Sequence, residues 1–217
     1  MHYFKLLSIK KSKELKLPKQ SLQDFCKKNF EDSNKVFSAL MEYKKILLDE
    51  NNKMNLIGKS TIDDFDQRHI LDCLQIINHM PNKNKQVMDI GTGAGLPGVL
   101  LSIMGYQNLH LVEKSPKKSA FLESCKVHLG LNYKIYTKPI SDISGLNIDY
   151  ITARAFAPIE KIIHFTKNII HKKTIYVLLK GKSYLSELNF INSEKYSWQS
   201  YPSITSDESK IVVMGLK

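Results

Sequence analysis

The chain has 217 residues, 42% of them hydrophobic, and a formal charge of +11 with a pI near 9.4. That length suits one domain of ordinary size, or one domain with a small appendage, and the apolar content is enough for a core. No apolar run approaches the ~18 residues of a membrane span. Cys26, Cys73 and Cys125 form no CxxC and the histidines no HxxxH, which argues against a disulfide framework or metal site and fits reduced thiols in a cytoplasmic protein.

The first stretch, "MHYFKLLSIKKSKELKLP", carries lysines throughout, no arginine and no sustained apolar segment, so neither a signal nor a transit peptide is expected. Residues 19–50 read as helical: Val36, Leu40, Tyr43 and Leu47 recur at spacings of three and four. "NNKMNLIGKS" breaks the pattern. Helical periodicity resumes in "TIDDFDQRHILDCLQIINHM", with Phe65, Ile70, Leu74 and Ile77 apolar, and Pro81 ends it.

From residue 86 short β-rich runs alternate with helical ones. "QVMDI", "NLHLVE", "YKIYT", "IDYITAR" and "TIYVLLKG" are the strands, with helices from Pro97, in "KKSAFLESCKVHLG" and in "IEKIIHFTKNII". This alternation predicts a doubly wound parallel α/β sheet. "SWQSYP" and "SKIVVMGL" follow without a helix between them, and predict an antiparallel hairpin at the sheet edge. The expected division is a helical N-terminal extension, residues 1–85, and an α/β domain, residues 86–217.

Positive charge is spread over both parts, with 16 basic and 11 acidic residues up to residue 85 and 16 and 10 after it. A polyanionic partner, most simply nucleic acid, is implied. Only two of the 32 basic residues are arginine, Arg68 and Arg154. A forked guanidinium is what lysine cannot supply, so both become candidates for specific hydrogen bonding.

"VMDIGTGAGLPGVLL" (87–101) places four glycines within eight residues, directly after a strand. Gly93, Gly95 and Gly98 match GxGxxG, and Glu113 follows Gly93 by 20 residues, as a dinucleotide site requires. The longer pattern Asp89-x-Gly91-x-Gly93-x-Gly95 also has the form of the first motif of class I methyltransferases, which bind S-adenosylmethionine at the same strand end. That cofactor has no phosphate but has cationic groups, which suit a carboxylate such as Asp89. Glu113 would accept from ribose hydroxyls under either reading. The basic remainder favours RNA as the substrate over a small hydroxy acid.

Taken together, "MNLIG" (54–58), "RHILDCL" (68–74), "MDIGTGAGLPGVLLSI" (88–103), "LVEKSPKKSAFL" (111–122), "ITARAFAPI" (151–159) and "LLKG" (178–181) resemble the bacterial 16S (small-subunit) rRNA guanine-N7 methyltransferase G family. The family is also called glucose-inhibited division protein B. The resemblance runs from about residue 35 to the C-terminus. It implies a class I, Rossmann-like methyltransferase fold with an N-terminal helical extension and S-adenosylmethionine as cofactor. It also implies cofactor contacts at Gly91, Leu96 and Arg154, and backbone contacts to adenine at Pro139 and Ile140. The chain departs from the family where an acidic "R-x-E" stretch would fall, and reads Lys138-Pro139-Ile140-Ser141-Asp142.

Guanine N7 attacks through a lone pair and has no proton to lose, so no catalytic general base is expected. Arg154 follows a strand and should face the cofactor crevice, unless it is spent on a salt bridge. Arg68 could hold a phosphate, and His69 is either its partner or a packed helix residue. Lys180, at another strand end, would meet RNA or cofactor unless it is simply solvated. The expected partner is 16S rRNA or a small-subunit ribosomal particle, with no membrane, and the protein is expected to be a monomer. An NAD-dependent oxidoreductase and a non-catalytic RNA-binding protein on the same fold are the competing readings.

Overall fold

The computed structural model describes residues 21–217; the lysine-rich stretch before them lies outside the described residues. The helix expected over 19–50 is two helices. In α1 (Leu22–Asn29), the Ser21 hydroxyl accepts from the Asp24 N–H. Phe30 is extended, and Asp32 caps α2 (Ser33–Asn51) by accepting from the Lys35 N–H. An Asp able to satisfy orphan amides starts a new helix where apolar spacing alone would run on. Leu40, Tyr43 and Leu47 form the buried face of α2.

The second predicted helix is irregular for a definable reason. Asp66–Leu71 is a π-helical turn, α3 (Asp72–Leu74) is α-helical and Gln75–His79 is 3-10. The Asp72 N–H bonds the Gln67 carbonyl, five residues back, and the Arg68 carbonyl that an α-helix would use accepts from the Arg154 guanidinium at 2.7 Å.

The strands are β1 (Gln86–Ile90), β2 (Asn108–Val112), β3 (Lys134–Tyr136), β4 (Ile148–Arg154), β5 (Ile170–Lys180), β6 (Tyr196–Pro202) and β7 (Lys210–Leu216). Between them lie α4 (Gly98–Ile103), α5 (Pro116–His128), α6 (Ile159–Thr166) and α7 (Tyr184–Leu188), the last not foreseen from sequence. They form one seven-stranded sheet in the order β3-β2-β1-β4-β5-β7-β6. The first five strands are parallel, and β7 is antiparallel to both neighbours. The expected hairpin is present, but its later strand lies inside the sheet and its earlier strand at the edge. The doubly wound α/β fold is as the alternation predicted.

Alternate residues of each strand point to opposite faces. One face packs Val87, Leu109 and Leu111 with Leu40, Tyr43 and Leu47 of α2 and with α4 and α5. The other packs Met88, Ile90 and Tyr176 with α6 and α7. One core thus crosses the divide expected at residue 85, which falls in the turn before β1. The strand order reverses at β1, flanked by β2 and β4, and leaves a crevice at the carboxyl ends of the strands.

Across that core, the fully buried Tyr43 hydroxyl donates to the Ala94 carbonyl at 2.6 Å, pinning the glycine-rich loop to α2. Tyr43→Phe leaves that carbonyl without its donor. It should lower unfolding free energy by about 1–3 kcal/mol, read from the urea midpoint at unchanged denaturant slope.

Candidate functional site

Asp89, on β1, is fully buried beneath the loop that follows it. One carboxylate oxygen accepts from the Gly98 N–H and the other from the Thr152 hydroxyl on β4, each at 2.9 Å. Burial pushes its pKa up to about 6, against these hydrogen bonds. Through these bonds the buried carboxylate holds the loop, α4 and β4 together.

Above it lies a cavity of about 580 Å³ lined by Gly91, Gly93, Glu113, Pro139, Ile140 and Phe156, among others. Gly93 has φ +58°, and a side chain there would find no heavy atom nearer than 3.8 Å, so the loop presents bare backbone to open space. Its N–H donates to one oxygen of Glu113 at 3.1 Å, and the Ser115 N–H to the other at 2.8 Å. A carboxylate has about four acceptor sites, so Glu113 keeps capacity for a ligand's hydroxyls. Gly91, at φ +66°, lies under the Phe156 ring, where a Cβ would come within 2.1 Å of Cδ2.

Pro139 and Ile140 stand where a flat group in this cavity would meet them, and Asp142 is exposed and outside the lining. Leu96 is core: 5% exposed, it packs under the loop and does not line the cavity, because the turn that presents Gly91 and Gly93 drives this apolar side chain inward.

A second cavity, about 490 Å³, opens at the ends of β4 and β5 and shares residues 155–158 with the first. Ala155 is left-handed, φ +50°, which a non-glycine residue adopts only at a cost. Arg154 lines this second cavity, not the first. Its Nε donates to Asp72 at 3.0 Å, and one terminal nitrogen to the Arg68 carbonyl. This fork ties β4 to the π-helical turn. Asp72 also accepts from Thr205 and Gln75.

His69 packs beside Arg154, with Nδ1 at 3.4 Å from the guanidinium and Nε2 at 2.8 Å from the Thr61 hydroxyl. Burial, then the positive Arg154, pushes its pKa down to about 4. His69 is 5% exposed and both ring nitrogens face protein groups, the surroundings of a packed helix residue. Arg68 lines a smaller cavity of about 340 Å³ with Asp64 and Arg154. Lys180 is not simply solvated: it pairs with Glu187 at 2.6 Å and donates to the Ala157 carbonyl at 2.9 Å, at the wall of the second cavity.

Sequence reasoning missed Asp72, Phe156 and Glu187. Phe156 lay two residues beyond a suspected arginine. Asp72 lies far in sequence from the end of β4 and Glu187 lies in a short helix, and only the fold brings them to the strand ends.

The family profile of rRNA small subunit methyltransferase G matches residues 36–208. A ribosomal RNA small subunit methyltransferase G of Orientia tsutsugamushi (strain Ikeda) is 35% identical over 194 residues, covering 89% of this chain and 97% of that one. Its counterpart in Rickettsia akari is 36% identical over 186 residues, covering 84% and 95%. Among solved structures, a ribosomal protein L11 methylase from Lactobacillus delbrueckii subsp. bulgaricus superposes with TM-score 0.56 at 15% identity, covering 68% of this chain and 77% of that one. Magnesium protoporphyrin IX methyltransferase from Synechocystis, crystallised with S-adenosylmethionine, gives 0.55 at 14%, covering 81% and 97%.

Two outcomes check this geometry. Gly93→Val puts a branched side chain into the first cavity at a positive φ costing roughly 1–2 kcal/mol. The variant should fold, and S-adenosylhomocysteine should raise the melting temperature of the parent and not that of the variant. His69 binds fewer protons folded than unfolded between pH 6.5 and 4, so its contribution is present above that window and lost as pH falls through it. His69→Gln should remove that loss, worth up to about 3 kcal/mol, and urea denaturation at pH 7 and pH 4.5 should show the variant losing less stability than the parent.

Proposed function

The chain belongs to the rRNA small subunit methyltransferase G family and is a methyltransferase of small-subunit rRNA that uses S-adenosylmethionine; from that premise we propose that it methylates N7 of a guanine, with its own residues acting as follows. The observation that carries the reading is the first cavity, which combines bare glycine backbone with a carboxylate able to accept further hydrogen bonds.

The competing dinucleotide reading meets an obstacle. A pyrophosphate needs free amides at the start of the helix. Here the first N–H of α4, that of Gly98, is consumed by the buried Asp89, whose own charge repels a phosphate. A phosphate-free cofactor with a ribose fits: Glu113 would hold the ribose hydroxyls, the backbone at Gly91 and Gly93 the amino-acid arm, and Pro139 with Ile140 the adenine. When bound, the cofactor supplies an electrophilic methyl on a sulfonium.

No residue has to remove a proton, since N7 attacks as a lone pair and leaves the base cationic. The protein contributes alignment and exclusion of water. The target base must be unstacked to enter. Lys114, Lys118, Lys138 and Lys161 all line the first cavity, although the cofactor has no phosphate to meet them. They suit an RNA backbone crossing its mouth, as does the net charge of +11. We assign the RNA as rRNA or an assembled particle in the cytoplasm, bound by one copy of the chain. Among the described residues no helix is long and apolar enough to cross a membrane.

Incubation with small-subunit RNA and methyl-labelled cofactor, followed by nucleoside analysis, should yield 7-methylguanosine; label in another nucleoside would overturn the N7 assignment. RNA affinity should fall steeply between low and moderate salt, and S-adenosylhomocysteine affinity should barely change. Equal salt dependence of the two would count against the lysine rim.

A further inference from the structure

We propose that the second cavity is the guanine pocket and that Glu187 is its specificity-determining residue, accepting from the 2-amino group of the base; this rests on the activity proposed above. The cavity lies across the loop of residues 155–158 from the cofactor cavity. A base held there and a methyl donor held in the first cavity approach each other around the Phe156 ring. Phe156 is the only aromatic lining the second cavity among the described residues, and at 38% exposure it offers a face to a purine.

The polar wall matches guanine in kind and order. Along its Watson–Crick edge guanine presents an acceptor at O6, then donors at N1 and the 2-amino group. The wall presents a cation, Lys180, beside a carboxylate, Glu187, at 2.6 Å. Lys180 spends donors on Glu187 and the Ala157 carbonyl, which leaves one of its three for O6. One Glu187 oxygen accepts from Lys180 and from the Ile159 N–H at 3.0 Å; the other accepts, among the described residues, from the Ser183 hydroxyl alone at 3.0 Å and keeps a lone pair for the base. Adenine inverts the first two positions, presenting an amino group to the cation and the N1 lone pair to the carboxylate, and it has no 2-amino group. The pair therefore accepts guanine and repels adenine, and it leaves N7 free to attack.

The pair is held rigidly enough to select. The Lys180 and Glu187 side chains are 11% and 15% exposed. The Ile159 N–H fixes the carboxylate from the start of α6, and Lys180 is the last residue of β5. A purely structural clamp would have the same contacts, so the test must read the base and not the fold.

The experiment compares methyl transfer to target RNA carrying guanosine or inosine at the modified position; inosine lacks only the 2-amino group. The parent enzyme should prefer guanosine roughly tenfold or more in kcat/KM. Glu187→Gln and Glu187→Ala should both be slower on guanosine and should lose that preference, with S-adenosylhomocysteine binding as the check that they fold. A parent enzyme that uses both substrates equally overturns the proposal without any variant, as does a guanosine preference that survives intact in either folded variant. No transfer to any small-subunit RNA by the parent would overturn the activity itself, a result distinct from transfer without discrimination.

Discussion

One guanidinium–carboxylate pair holds the rest in register. Arg154 reaches from the end of β4 to Asp72 on α3 and to the Arg68 carbonyl one turn earlier. Asp72 in turn accepts from Thr205, in the turn between β6 and β7, and Gln75 adds bonds to Ser203 and Ile204. Three segments far apart in sequence thus meet at two side chains. A lysine would have to make both contacts from one nitrogen, whereas the guanidinium meets the carboxylate with Nε and the carbonyl with a separate terminal nitrogen held in the same plane. In a chain with 30 lysines, that geometric demand accounts for an arginine at this strand end. The same demand writes the π-helical turn, since the carbonyl given to Arg154 is withdrawn from the helix.

A second buried charge works on the opposite side of the crevice. Asp89 lies fully buried under the glycine loop, held by Gly98 and Thr152. It sets the loop's height above β1 and fixes where α4 begins. Tyr43 reaches the same loop from α2, so the N-terminal helices also support the floor of the first cavity. Their role is mechanical as well as protective: without α2 the Ala94 carbonyl and the apolar underside of the loop, Leu96 included, would face solvent.

Much of this was legible in the residues. Alternation of strand and helix gave the parallel sheet, and the glycine spacing with Glu113 gave the first cavity, because both patterns are local consequences of backbone geometry. What was not legible depended on partners distant in sequence. Asp89 could be recognised as important, but only its burial shows that its charge faces inward to Gly98 and Thr152. Arg154 was singled out for its fork, and the fork is used, but on Asp72, which lies 82 residues earlier. His69 could not be placed from its neighbours in sequence, because Thr61 and Arg154, which flank its ring, are brought there by the fold. Glu187 sits on a five-residue helix with too few residues to show periodicity, so nothing in its neighbourhood distinguished it from a solvated carboxylate.

The placement of β7 bears on the order in which this molecule can assemble. β6 precedes β7 in the chain but touches the sheet only through it. As the chain is made, β6 has no edge to join until residues 210–216 exist. The two strands must then pair with each other and dock on β5 as a unit, a long-range closure of the slow kind. Ser203, Ser209 and Lys210, the far wall of the second cavity, arrive with that docking. The half of the crevice built from β1 and β2 needs none of it. A newly made chain would therefore complete its glycine-lined cavity first and its second cavity last, so the two neighbouring cavities have different birth times.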